Sequence, residues 1–349
     1  MKEKKHTSID NQLEKLKGRN ITIDQHEEKE IKKILERNNY YNVINAYKDP
    51  FLEEKYKDGT TIKEIYNLYK FDKNISKLFF GYLLTIEGVA KTVISDIFSE
   101  KYGHKHYLNK ENFDYSINLN QLSDSKKISI LEKNNEIKDL IKKLTGYIEN
   151  ETFAAPYIIH YKTKHEYVPL WVLVNVLTFG DIAKFYKYMK QSERDKAAHR
   201  LSLNKRINSK EMDNFFSVIG DFRNKSAHGQ RFYTIQTKNE RGIRYKLVFN
   251  DISYNEKEIS HVDTSVFALI LTIKVLLEKE EFESFFKSFI LELEVLQENI
   301  NTIDIEHILD KMGFISNTLE LDTISCVLQD FPTQYCKEKV HTFAPEIFL

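Results

Sequence analysis

Cysteine, proline and glycine are scarce in this sequence. Its 349 residues include 2 Cys, 5 Pro and 11 Gly. The two cysteines, Cys326 and Cys336, are too few for a disulfide framework or a zinc site, and they favour a reducing, cytoplasmic setting. The shortage of glycine and proline argues against a loop-rich all-β protein and favours long helices.

Long uninterrupted apolar runs are also missing. The longest apolar stretches, 168–179 and 266–277, are too short and too often interrupted to cross a bilayer, which takes about 20 apolar residues. The first residues lack the apolar segment of a signal peptide. The sequence therefore predicts a cytoplasmic protein without membrane contact, whose hydrophobic residues, 41% of the chain, build a sizeable core.

Charge is balanced in total but unevenly placed. The formal net charge is +0, so the chain as a whole does not attract nucleic acid. From Lys184 to Lys246, however, 16 Lys and Arg stand against 6 Asp and Glu, and from Glu278 to Asp330 the numbers are 3 and 13. The basic stretch would attract a polyanion such as RNA. Alternatively, these charges form a solvated face that pairs with the acidic half.

The spacing of apolar residues predicts a mainly α protein in three parts. These are a small N-terminal helical module over 1–60, a helical-bundle domain with insertions over 61–300, and an acidic C-terminal helical extension over 301–349 packed on it. One long helix is predicted over 72–102, because apolar residues recur there in steps of three and four. Glu87 lies on or beside this apolar stripe, where a carboxylate needs a cationic partner or has to reach water.

Four further segments carry weaker predictions. Residues 103–150 are polar and predict an outer insertion with one or two weak helices, whereas 168–179 predicts a buried helix. In the insertion at 230–260, β-branched and aromatic residues flank 239–242, which predicts a short β-hairpin. Residues 263–296 are typical of one or two long amphipathic helices.

The most informative residues for function form the sequence RNKSAHG, from Arg223 to Gly229. The imidazole of His228 can move a proton near neutral pH, and the guanidinium of Arg223 can form paired hydrogen bonds with phosphate oxygens. In a regular helix these two side chains would point about 140° apart. Either the helix ends near Gly229, or two copies face each other in a dimer with Arg and His from different chains.

These residue types are sufficient for metal-free RNA cleavage. His228 could act as the base or the acid, Arg223 could stabilise charge on the phosphate, and Asn224 could orient the substrate. The same residues also fit an ordinary helix end, with Gly229 as the cap and Arg223 on the surface. No group of Asp, Glu and His predicts a metal or any other cofactor, and His104 and His106 are an isolated pair.

Several stretches, in the same order, resemble the Abi-like (abortive infection, AbiD/AbiF-type) family of bacterial proteins over about residues 8–235. They are IDNQLEKLKGRNITID, NNYYNVINAY, LYKFDKNISKLFFGYLLTIEGVAKTVI, VPLWVLVNVLTFGDIAKFY and FRNKSAHGQRFY. The pattern of Arg223, Asn224 and His228 is similar to the signature of HEPN ribonucleases. The resemblance implies an all-α HEPN-type bundle, anti-phage defence, a homodimer and metal-free RNA cleavage. It also implies that Glu87 braces Arg223. The chain departs from this family in having Gly229 after the histidine.

These observations predict a metal-independent endoribonuclease of an abortive-infection or toxin–antitoxin system. Its partners would be an RNA substrate and a regulatory RNA or antitoxin that restrains it, and its products would end in 2′,3′-cyclic phosphate. Four basic residues are predicted to contact RNA: Lys184, Lys187, Lys225 and Arg231. The alternatives are a non-catalytic RNA-binding scaffold and an effector that binds a protein through its acidic C-terminal helices.

Overall fold

The fold is described from a computed structural model. The structure describes residues 6–24, 26–117, 122–150, 155–203, 207–237 and 264–314. Across these ranges the regular elements are helices, no strand occurs, and only isolated β-bridges join extended residues. The prediction of a mainly α protein is therefore confirmed. The predicted hairpin at 239–242, both cysteines and the tail from 315 onward lie outside the described residues.

Twelve α-helices, numbered in chain order, make up most of these ranges. They are α1 (Ile9–Lys17), α2 (Glu28–Asn38), α3 (Ile62–Tyr102), α4 (Asp124–Glu149), α5 (Pro156–His165), α6 (Leu170–Leu173), α7 (Phe179–Tyr188), α8 (Gln191–Leu201), α9 (Ser209–Ala227), α10 (Val266–Leu276), α11 (Lys279–Glu298) and α12 (Ile305–Lys311). A π-helical turn at Tyr41–Asn45 and short 3-10 turns connect some of them.

Helix α3 is the central element, and it is longer than the sequence predicted. It begins at Ile62 rather than near residue 72, because Thr61 and Glu64 form a reciprocal capping box at its start. Helices α6 to α11 all contact it, and most of its apolar stripe is buried. By length and composition α3 could also cross a membrane, but the central helix of a folded core has the same composition.

Of two predictions about the middle of the chain, one was confirmed in part and the other was wrong. The insertion at 103–150 contains a 26-residue helix, α4, which buries Ile137 and Leu144 against the domain despite its polar composition. The apolar stretch 168–179 is not one helix, since a four-residue helix is followed by a 3-10 turn. A capping box between Thr178 and Asp181 starts α7 and forces the chain to extend just before it.

The two ends of the described chain pack on the same core. In the N-terminal module, α1 and α2 bury Leu13, Leu16 and Ile31. At the other end, α10 is buried on nearly all sides rather than amphipathic, and α11 packs along α3 through a row of phenylalanines. The segment after α11 is held at the start of α3, because Glu64 accepts hydrogen bonds from the backbone N–H groups of Asn301 and Thr302 at 2.6 and 2.9 Å.

Candidate active site at the end of helix α9

Helix α9 ends inside the Arg-His motif. Its last helical residue is Ala227, and His228 is the C-cap with φ −85° and ψ 5°. Gly229 follows with φ +66°, where a residue without Cβ is favoured, and its N–H donates to the carbonyl of Ser226 at 3.0 Å. The N–H of Gln230 donates to the carbonyl of Lys225 at 3.2 Å, which completes a Schellman motif. His228 is thus the last residue before the chain turns out of the helix at Gly229.

The guanidinium of Arg223 lies beside a buried carboxylate of α3. Arg223 Nε is 3.7 Å from Glu87 Oε2, and the Glu87 side chain is only 9% exposed whereas that of Arg223 is 29% exposed. The other oxygen, Glu87 Oε1, lies 2.8 Å from Lys91 Nζ, one turn further along α3. The structure therefore brings together two cations and one anion, with net positive charge at the edge where Arg223 reaches solvent.

The bond between Arg223 and Glu87 is an ion pair rather than a hydrogen bond. Both Arg223 Nε and Glu87 Oε2 are buried atoms without a hydrogen-bond partner among the described residues. At 3.7 Å the two groups attract each other through charge, but the geometry leaves the pair short of its strongest form. If Arg223 Nε moved slightly closer to Glu87 Oε2, the ion pair would also become a hydrogen bond.

Asn224 and His228 both face solvent at the same end of α9. They are four residues apart, and the His228 N–H donates to the Asn224 carbonyl at 3.1 Å. Within the described part of the chain, no group hydrogen-bonds to the His228 imidazole, so the ring is open to a ligand or a second chain. Arg223, Asn224 and His228 thus occupy one exposed helix end.

The chain that leaves the motif is fastened to α3. The buried carboxylate of Asp72 accepts hydrogen bonds from the backbone N–H groups of Phe232 and Tyr233 at 3.0 and 2.7 Å, and from the Tyr47 hydroxyl at 2.6 Å. Burial raises the pKa of Asp72, while these hydrogen bonds act in the opposite direction. Lys73 Nζ donates to the Gly229 carbonyl at 3.1 Å. The segment that follows α9 is therefore attached to two consecutive residues of α3, Asp72 and Lys73.

The four basic residues predicted to contact RNA do not form one group. Arg231 is engaged inside the protein, because it donates to the Ala46 carbonyl at 2.6 Å and to Asp49 Oδ2 at 3.1 Å. Lys225, next to the motif, donates to the Gln236 carbonyl at 2.5 Å. The structure thus ties both residues to neighbouring backbone.

Lys184 and Lys187 are exposed on α7, away from the motif. Helix α7 runs opposite to α9, since the Tyr186 hydroxyl near its end donates to the carbonyl of Ser209 at the start of α9. Lys187 Nζ lies 3.4 Å from Glu136 Oε2 of α4. These two lysines therefore belong to a different region of the surface from Arg223 and His228.

Sequence reasoning missed Lys91 and Asp72. Lys91 could have been found, because it follows Glu87 by four residues on a helix, which is the spacing of an ion pair. The role of Asp72 depends on a contact with residues 160 positions later and has no local signal. Among the described residues, no group of three or more His, Cys, Asp or Glu side chains is arranged to hold a metal ion.

Comparison with known proteins places the chain in a family. A family model described as Abi-like protein matches residues 33–234, which is more than half of the chain. The chain belongs to the Abi-like protein family. No curated protein and no solved structure matches it.

The Abi-like match covers every residue of the candidate site. It extends from α2 to the 3-10 turn after α9, and so includes Glu87, Arg223, Asn224 and His228. It begins at residue 33, so the resemblance of the segment 8–32 is not part of it. Membership of the Abi-like family suggests a role in abortive-infection defence.

Proposed function

We propose that this Abi-like protein is a HEPN-type endoribonuclease that needs no metal and acts in a cytoplasmic abortive-infection or toxin–antitoxin system against phage. One observation carries the proposal. Arg223, Asn224 and His228 share an exposed helix end, and the buried Glu87 lies beside the guanidinium of Arg223 at 3.7 Å. This arrangement provides a proton-transfer group, a polar orienting group and a fixed cation.

Each group has a defined task in the proposed reaction. A histidine removes the proton of the ribose 2′-OH, and the O2′–P bond forms while the P–O5′ bond breaks. Arg223 stabilises the negative charge that builds up on the phosphoryl oxygens. A general acid donates the proton that the departing 5′-oxygen takes up. The products are a 2′,3′-cyclic phosphate and a 5′-hydroxyl.

The reaction uses a base and an acid, and one chain offers one histidine at this end of α9. A homodimer would supply two, with Arg223 of one protomer near His228 of the other. The exposed strip of α3 beside Glu87 suits such an interface. It carries Gly81, Thr85, Gly88 and Thr92 in steps of four, three and four, and the two threonine hydroxyls already bond to the carbonyls of the glycines.

Exposed apolar residues flank this strip. Leu84 and Val89 are 45% and 42% exposed, and a Cβ atom added at Gly81 or Gly88 would meet nothing within 4 Å. Small residues let two helix backbones approach closely, as in the small-xxx-small pattern of membrane helices, and Gly81 and Gly88 give this exposed strip such a surface. We therefore place the dimer interface on this strip of α3.

The decisive experiment compares the unmodified protein with His228→Ala on total bacterial RNA in EDTA, with the product ends mapped. We expect cuts that end in 2′,3′-cyclic phosphate and that the variant does not make. His26→Ala, which changes an exposed histidine in the N-terminal module, is the matched control and should cut normally. Loss of cutting in both variants, or in neither, would contradict the assignment of His228.

Mixing two inactive variants tests the shared site. Arg223→Ala and His228→Ala homodimers should each be inactive. If Arg and His act from different protomers, subunit exchange restores one Arg–His pair per mixed dimer, and cutting should reappear at a rate reduced by the loss of the second histidine. Gly88→Leu should give a monomer in sedimentation and abolish cutting. A dimer that persists in Gly88→Leu would place the interface elsewhere.

The second candidate function is a non-catalytic RNA-binding scaffold, in which Arg223 and His228 hold an RNA backbone. The uneven placement of basic residues favours RNA contact of this kind as well. RNA that co-purifies with the protein and is never cut would support the scaffold. A restraining RNA or antitoxin is the partner we expect for an active nuclease, and toxicity in cells that depends on His228 would separate the two functions.

A further inference from the structure

A groove of about 470 Å³ opens at the C-terminal end of α3, between α3 and α8. Its walls include Thr92 and Ser99 of α3, Arg200 of α8, and His104 and Trp171 at one end. The Ser99 hydroxyl is buried and has no hydrogen-bond partner in the described part of the chain. The volume is that of a small-ligand site, and the groove combines an unsatisfied polar group with aromatic rings.

Trp171 is the only tryptophan of the chain, and it is 49% exposed. Its ring centroid lies 5.8 Å from that of His104, which is 5.0 Å from the ring of Tyr167. The series of rings continues on the surface through His165 and Tyr161, at 6.4 and 5.2 Å. A large ring that remains half exposed next to other rings forms a surface on which a flat group can stack.

Basic side chains accompany this series of rings. Lys105 Nζ lies 5.5 Å from the ring centroid of Tyr167, and Lys101 and Lys164 are exposed nearby in the chain. The acidic groups in the groove already have partners, because Arg200 pairs with Asp96 and Lys196 with Glu100. The ring segment itself carries one exposed carboxylate, Glu166, against the three lysines, so the net charge beside the rings is positive, which suits a chain of phosphates.

The groove also leads toward the candidate active site. Its wall begins at Thr92, next to Lys91, whose Nζ binds Glu87. Gly103, at the far end, is 16 residues beyond Glu87, which corresponds to about 24 Å along the helix. Thr92 is where the groove meets the strip proposed as the dimer interface, so a strand bound at Trp171 would run along the border of that interface to the edge where Arg223 meets solvent.

We propose that this groove binds single-stranded RNA, with one base stacked on Trp171 and its backbone close to the lysines. Stacking of bases on exposed aromatic rings, next to positive side chains, is how proteins hold single strands without reading their sequence. Insofar as the strand is the substrate to be cut, the inference rests on the proposed nuclease function. The groove then positions the RNA, while the end of α9 cuts it.

Because Trp171 is the only tryptophan, its fluorescence reports on this site alone. The test uses the full chain with His228→Ala, so that RNA stays intact, and adds a short single-stranded RNA, the same backbone without bases, and the duplex form. We expect the single strand to quench the fluorescence and the baseless strand to leave it unchanged. Quenching by the baseless strand to the same extent would overturn the stacking.

Variants test the contribution to affinity. In the same background, Trp171→Ala should raise the Kd for the single strand roughly tenfold or more, and Trp171→Phe should retain most of the affinity. Tyr41→Ala removes another exposed ring, 69% exposed and in the N-terminal region, and should have no effect. An unchanged Kd in Trp171→Ala would refute the groove as an RNA site, and tight binding of a peptide instead of RNA would assign it to a protein partner.

Failure of this inference and failure of the nuclease proposal give different results. If RNA is never cut but quenches Trp171, the groove binds RNA and the nuclease proposal falls. If RNA is cut and Trp171→Ala has the unmodified KM and kcat, the nuclease proposal stands and the groove inference falls. If both are right, Trp171→Ala raises KM and leaves kcat nearly unchanged.

Discussion

Glu87→Gln is the most informative substitution for the organisation of the candidate site. It keeps the shape of the side chain but removes the negative charge between Arg223 and Lys91. Two cations would then lie close together without a counter-charge. We expect the free energy of unfolding to fall and the guanidinium of Arg223 to lose its fixed position.

The distances set the size of the effect. At 3.7 Å and an effective dielectric constant near 20, the attraction between Arg223 and Glu87 is about 4 kcal/mol before desolvation is subtracted. Removal of one partner from a fully buried pair costs about 3–5 kcal/mol. Arg223 is 29% exposed, so water recovers part of this loss. We therefore expect Glu87→Gln to destabilise the protein by about 2 kcal/mol and to slow RNA cleavage by roughly tenfold to a hundredfold.

Chemical unfolding of four proteins isolates the pair. They are the unmodified protein, Glu87→Gln, Arg223→Met and the double variant, from which the coupling between the two residues follows. Glu132→Gln, which removes an exposed carboxylate from α4, is the control and should change stability by less than about 0.5 kcal/mol. A coupling below about 0.3 kcal/mol would refute the argument that Glu87 fixes Arg223.

Three further outcomes are expected. Asp72→Ala leaves three buried donors unpaired and should lower the free energy of unfolding by about 3 kcal/mol or more in urea; a loss below 1 kcal/mol would mean that the segment after α9 is held by other contacts. Burial alone would raise the pKa of Glu64, but hydrogen bonds from Asn301, Thr61 and Thr302 outweigh burial and lower the pKa. The ionised Glu64 therefore contributes its full stabilisation above the unfolded pKa of about 4.3, and this contribution is lost as pH falls through the folded pKa. Glu64→Gln should therefore be less stable at pH 7 and show a smaller further loss on acidification, and parallel acid-unfolding curves would count against this. Gly229→Ala should cost about 1 kcal/mol in thermal unfolding because φ is +66°, whereas Gly229→Asn should cost less, and equal stability of all three proteins would contradict the left-handed cap.

The helical architecture could be predicted from the sequence because its signals are local. Apolar residues that recur in steps of three and four, together with few glycines and prolines, are enough to predict a mainly α protein and the course of α3 beyond Asp72. The earlier start of α3 was also encoded locally, in the capping box of Thr61 and Glu64. The 3-10 turn at Val174–Val176, which interrupts the apolar stretch 168–179, was not predicted, since an apolar composition fits a short 3-10 turn as well as a helix.

Contacts between distant parts of the chain could not be predicted in the same way. Spacing alone does not say that α3 lies beside α9, and only the family resemblance suggested that Glu87 and Arg223 are neighbours. The structure shows that Glu87 and Arg223 are neighbours, whereas the role of Glu87 in holding Arg223 in position stays a prediction. The attachment of Phe232 to Asp72 and the internal role of Arg231 depend on how separate elements meet, and neither has a sequence signature.

Helix α3 is one uninterrupted rod of 41 residues, about 60 Å long. It carries Glu64, Asp72, Glu87 and the groove next to Gly103 at intervals that the helical rise alone determines. One added or deleted residue would turn everything beyond it by about 100° and shift it by about 1.5 Å. An insertion after Asp72 would thus carry Glu87 away from Arg223 and turn Ser99 out of the groove at the same time. During divergence, α3 can therefore accept substitutions at many positions but hardly any change of length.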